Sequence, residues 1–170
     1  MQANQVMDAS FIDWLTKIEQ SMDVDETNTG KLMTKMLRFG PSTLSGVMVY
    51  ENLALSNIGT AEGRWGKIKV IYPKRSVWND NPFYILDVPW SATDQHNAAK
   101  LFQQFLLSPN AQRVARDQFL FRPGNVDVPI VEAGSAFERY QDIVQIDVPA
   151  ISRPSEEVLN QLQQIWKRTQ

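Results

Sequence analysis

Long stretches of this chain repeat apolar residues at intervals of three and four, and a few short runs gather β-branched and aromatic residues instead. Phe11, Leu15, Ile18 and Met22, with Trp14 beside them, predict a helix over about 10–22. Leu32, Met33, Met36 and Leu37 predict a second over 30–38. Ala98, Ala99, Phe102, Phe105 and Leu106 predict another over 92–107, and Ser108-Pro109 opens one that runs to Phe119, with proline at the favoured first position. Val158, Leu159, Leu162, Ile165 and Trp166 form a clean stripe on a last helix, capped by Ser155 and ending near 168. Ser10-x-x-Asp13 and Ser91-x-x-Asp94 have the form of capping boxes.

Between these helices lie three strand-like runs, Val47–Tyr50, Ile68–Tyr72 and Phe83–Val88. Two of them stop at prolines, Pro73 and Pro89, which cannot donate a ladder hydrogen bond. Helical spacing resumes over Leu53–Ile58, so the first run reads as a βα unit with a parallel strand. Gly59–Gly66 (GTAEGRWG) reads as a glycine-rich loop. Residues 124–153 read as mostly irregular, with one helical turn near Ser135–Ile143. The expected fold is therefore α/β: a small mixed sheet of three to five strands, partly parallel, flanked by helices. Residues 1–90 would form the α/β segment and 91–170 a C-terminal helical segment.

A length of 170 residues allows a sizeable core. The net charge of −2, with signs mixed along the chain, lacks the basic footprint of a nucleic-acid binder. The chain has no cysteine, which excludes thiol redox chemistry, disulfides and cysteine metal sites. No apolar run approaches the roughly 20 residues that span a bilayer, and the polar start MQANQVMDAS is not a signal peptide. Either the protein is cytosolic, or the sequence is a segment of a longer exported one.

Candidate chemistry is sparse. Asp23-Val-Asp25-Glu26 suggests a calcium loop, but the sixth and twelfth positions are Asn28 and Thr34, so a solvated acidic turn fits better. No GK[ST] follows the glycines of 59–66, and no G-x-S-x-G elbow occurs. The single histidine, His96, sits in a first helical turn among polar neighbours and reads as a surface residue. No catalytic grouping, metal site or cofactor motif emerges. Two features could hold a ligand. Thr29 and Gly30 lie at a helix start, where free N–H groups meet the positive end of the dipole. Tyr50 and Glu51 lie at the carboxyl end of an expected strand, where ligands gather in parallel sheets.

Ten short motifs in order carry a resemblance. They are Thr29-Gly30, Gly40-Pro41, Val49-Tyr50-Glu51-Asn52, Ile71-Tyr72-Pro73, Asn81-Pro82-Phe83, Leu86-Asp87-Val88-Pro89-Trp90, Ala98-Ala99, Phe105-Leu106-Leu107-Ser108, Ala111-Gln112 and Phe121-Arg122-Pro123. Over residues 10–130 the chain resembles the later part of a bacterial extracellular solute-binding protein of the type II periplasmic-binding-protein family. The subgroup is the one often joined to a von Willebrand factor A domain. The resemblance implies one lobe of that fold, with Phe83–Trp90 as the crossover between lobes and the first lobe's opening strands missing. It also implies a small polar or anionic solute held by Thr29, Gly30, Tyr50 and Glu51, no catalysis, and an extracellular or periplasmic setting at the cell envelope. The alternative is a structural domain with no ligand, serving a neighbouring von Willebrand factor A-type domain or a homodimer. Under either reading the apolar faces at Phe102, Phe105, Val158 and Leu162 need cover.

Overall fold

The computed structural model describes residues 3–22, 26 and 28–169; of the acidic turn expected over Asp23–Glu26, all but Glu26 lies outside them. Within the described residues the chain is built from helices. They are α1 (Ala3–Val6), α2 (Ala9–Ser21), α3 (Thr29–Phe39), α4 (Glu51–Trp65), α5 (Thr93–Leu107), α6 (Pro109–Phe119) and α7 (Glu156–Thr169), with a 3₁₀ turn at Ala136–Tyr140. They belong to two compact units, one of the residues up to Val47 with those from Ile151, the other of Met48–Ala150.

In the first unit α7 packs against α1 and α2. Val6, Val158 and Ile165 are buried at the centre, with Phe11, Ile12, Leu15 and Leu162 around them. The predicted stripe on the last helix is thus core, and Val158 and Leu162 find their cover here. Asp8 caps α2: its carboxylate accepts the Ser10 N–H at 2.8 Å and the Ser10 hydroxyl at 2.6 Å, which holds the carboxyl below its usual range. The expected cap, Ser10, is instead the donor. Asn28 caps α3 by accepting the N–H groups of Gly30 and Lys31.

In the second unit the core is Leu55, Ile58, Leu120, Ala136, Phe137 and Val144. α6 packs against α5 and against the 3₁₀ turn. Leu120 ends α6 in the left-handed region (φ 57°); its N–H donates to the Arg116 carbonyl at 3.1 Å, and the Phe121 N–H reaches back to the Ala115 carbonyl at 3.2 Å, closing the helix. Its side chain is nonetheless buried. Arg116 is 2% exposed and is held on both sides. Its Nε and Nη2 donate to Asp117 at 2.8 and 2.9 Å, while its Nη1 donates to the Pro129 carbonyl and lies 2.6 Å from Glu132. Asp117 in turn accepts the Ala136 N–H, so the buried Arg116 and its two partly exposed carboxylates pin the irregular stretch after α6 onto that helix.

The α/β expectation does not hold. Among the described residues there is no strand, only a single parallel bridge between Ser76 and Ala150. Val47–Tyr50, Ile68–Tyr72 and Phe83–Val88 have no ladder. The pattern behind the expectation is real: Ile68, Val70 and Tyr72 turn inward, and Ile68 and Val70 pack on the core, while Lys69 and Ile71 face out. A period-two face can be satisfied by packing on helices, and a sheet also needs partner strands. Phe83–Trp90, expected to cross between lobes, lies wholly within the second unit. The loop expected at Gly59–Gly66 is helical as far as Trp65, because α4 buries Leu55, Ile58 and Ala61. The second expected capping box is also different: α5 starts after Ala92, whose N–H donates to the Gln95 side chain.

Candidate functional site

One polar network of the second unit gathers four segments of chain around Glu51. α4 begins at this residue, a position the helix dipole favours for a carboxylate. Arg122, two residues beyond the α6 cap, donates from Nε to Oε2 at 2.7 Å and from Nη2 to Oε1 at 2.8 Å. The Tyr72 hydroxyl donates to Oε1 at 2.6 Å. Arg122 also donates to the carbonyls of Ile146 at 3.0 Å and Gln145 at 2.6 Å. Its guanidinium lies 4.8 Å from the centre of the Trp78 ring, and the indole N–H of Trp78 donates to the Val148 carbonyl at 3.3 Å.

The Arg122 and Glu51 side chains are 12% and 18% exposed, so this fork works where water screens it weakly. The hydrogen bond to Glu51, then its charge, strengthens Arg122 as a base. Burial, and next the bond and charge of Glu51, push the Tyr72 phenol well above its usual range. Of the five N–H donors on a guanidinium, four are engaged here, and both carboxylate oxygens are occupied. The network therefore ties α4, the segment ending at Tyr72, the turn at Arg122 and the Gln145–Val148 segment together. Its chemistry is that of a staple.

The residues expected to bind ligand divide between the units. Thr29 and Gly30 belong to the first, where the Asn28 side chain occupies the Gly30 N–H. Tyr50 and Glu51 belong to the second. Glu51 faces inward into the network, and Tyr50 is 54% exposed beside it. Sequence reasoning missed Arg122, Tyr72 and Trp78 as partners of Glu51. Separations of 71 and 21 positions leave no periodic signal. Trp78, 45% exposed, lays its ring against the Arg122 guanidinium.

Beside the network, Pro123, Val126, Val128, Ile130 and Ile146 line a shallow groove of about 430 Å³. Its one polar side chain, Asn125, is already bonded to the Leu107 carbonyl and the Asp127 N–H. Few polar groups converge there to orient a small molecule. Among the described residues no cluster of three or more His, Asp or Glu could hold a metal ion, and no helix is long and apolar enough to cross a membrane. No protein-family model matches this chain, and no curated protein or solved structure does either.

The other feature of the second unit is apolar. On α5 the half-buried positions are His96, Ala99, Gln103 and Leu106. The more apolar stripe, Ala98, Leu101, Phe102 and Phe105, faces outward at i, i+3, i+4, i+7 spacing. Leu101 is 67% exposed and Phe105 60%. Phe83 meets Phe102 edge-on at 5.8 Å, and Phe102 stacks on Phe105 at 6.2 Å, so the rings form one patch.

Proposed function

We propose that this chain is a non-catalytic association module that pairs with a second copy of itself through the outward face of α5. The observation that carries this reading is the apolar stripe of α5 that faces solvent, Leu101, Phe102 and Phe105, while Ala99 and Leu106 turn inward with His96 and Gln103. Phe83, Leu101, Phe102 and Phe105 leave on the order of 400 Å² of apolar surface in reach of a partner, given the size of such side chains. That is about half of the roughly 800 Å² each partner buries in a standard interface, a fitting share for an apolar core inside a polar rim. Sedimentation velocity tests it. The intact chain should form a dimer, and Phe105→Ser should shift it to monomer with its helical circular dichroism unchanged. A wild-type chain that stays monomeric at high micromolar concentration overturns the reading.

A second reading follows the resemblance to solute-binding proteins and is favoured by the half-exposed ring of Tyr50, set beside an anchored Glu51. Here Tyr50 would stack on a small polar or anionic solute in an exported protein. Thermal shift against a panel of oxyanions, sugars and amino acids tests it. A melting temperature unmoved by every compound, or moved equally in Tyr50→Ala, counts against it.

A further inference from the structure

We propose that Lys67–Tyr72 is a docking edge that takes up an acidic, extended polypeptide through main-chain hydrogen bonds. This goes beyond the α5 reading and uses a different surface. The segment alternates in burial as a strand does. Ile68, Val70 and Tyr72 are half-buried, and the Tyr72 hydroxyl bond to Glu51 fixes its far end. Lys67, Lys69 and Ile71 face outward at every second position. Yet no residue from 67 to 75 makes a main-chain to main-chain hydrogen bond among the described residues, and the first such bond after it is Ser76 N–H to the Pro149 carbonyl. A row of N–H and C=O groups without main-chain partners, on a segment whose side chains alternate, is a template for one more strand.

Charge selects the occupant. Lys67, Lys69, Lys74 and Arg75 are exposed, and none is in an ion pair among the described residues. Four cations in nine residues stand out in a chain whose net charge is −2. A strand with carboxylates at alternate positions would set them opposite Lys67 and Lys69, where unlike charges stabilise a cross-strand pair. Its other face would present apolar side chains beside the half-buried Ile68 and Val70. A nucleic acid or anionic lipid would satisfy the charges but leave the main-chain groups unused.

The test is fluorescence anisotropy with a short labelled peptide of alternating glutamate and valine, added to the full chain and to the Phe105→Ser variant. Both proteins should bind it, which separates this edge from self-association through α5. N-methylation of the peptide's alternate amides should weaken binding by at least about tenfold, because it removes donors and leaves the charge. The pair Lys67→Glu and Lys69→Glu should weaken it by a similar factor. Ile71→Pro removes an N–H that the folded chain does not use, so affinity should fall while the melting temperature holds. Absence of binding, equal binding of the N-methylated peptide, or equal binding of an oligonucleotide of like charge overturns the proposal.

Discussion

Arg122 grips Glu51 with two hydrogen bonds, 2.7 and 2.8 Å long, across 71 positions of sequence. The pair closes most of the second unit into one loop, and each member has further partners that depend on it. Glu51→Gln removes the charge and spoils the fork while keeping the shape. It should destabilise the chain by about 2 kcal/mol, below the usual cost of breaking a fully buried pair because some water reaches the site. Urea unfolding followed by circular dichroism measures this. Arg122→Lys should cost a similar amount, since an ammonium cannot serve the carboxylate and two carbonyls at once.

Tyr72 makes the same unit sensitive to alkali. Its folded pKa is raised, so its contribution is fully present below the ordinary tyrosine value of about 10 and is lost as pH rises through and beyond it. Tyr72→Phe cannot ionise. It should cost about 1 kcal/mol at neutral pH for the lost hydrogen bond and should show a shallower fall in stability at alkaline pH. Urea midpoints compared across that range decide the matter.

Asp117 acts at the opposite end of the scale. The hydrogen bond from Arg116, helped by the Ala136 N–H, holds its carboxyl below the usual range. A depressed folded pKa contributes stability above the unfolded value of about 4, and that stability is lost as pH falls below it. Asp117→Asn should therefore lower stability at neutral pH, by about 1 kcal/mol once screening by water at this partly exposed carboxylate is counted, and flatten the acid limb of the stability curve. The loss should show in thermal melts at neutral pH and vanish at the acid end.

Gly59 lies on the exposed side of α4, with no atom within 4 Å of where a β-carbon would sit. Gly59→Ala should stabilise the chain by about 0.5–1 kcal/mol, because alanine loses less backbone freedom on entering a helix. A rise in melting temperature checks it, and a fall would mean that α4 needs to bend there.

Much of the helical layout was legible from spacing alone. α2, α3, α5, α6 and α7 fall within a residue or two of the stretches that periodicity marks, and the short turn appears at Ala136–Tyr140 inside the expected window. Proline at the start of α6, after the Ser108 cap, was equally readable. Two kinds of information were not. Gly59 and Gly63 disguise the second half of α4, whose helicity comes from burying Leu55, Ile58 and Ala61, a tertiary effect that outweighs propensity. The strand-like runs form no strands: Ile68–Tyr72 alternates in burial, Phe83–Val88 stays mostly exposed, and whether such a run joins a sheet depends on partners that local pattern does not contain. Of the candidate binding residues, Glu51 was singled out at the carboxyl end of an expected strand, and it opens α4 instead. What it contacts was hidden, because Arg122 and Tyr72 meet it only through the fold.

Leu120 leaves evolution and the protein engineer little room. Its backbone sits where glycine rests most easily, yet its side chain fills space in the core beside Phe137 and Ile58. Glycine there would relieve the turn and open a void; valine would occupy part of the void and clash with the turn. A saturation library at this one codon should return leucine and a few unbranched substitutes of similar bulk, and almost nothing else.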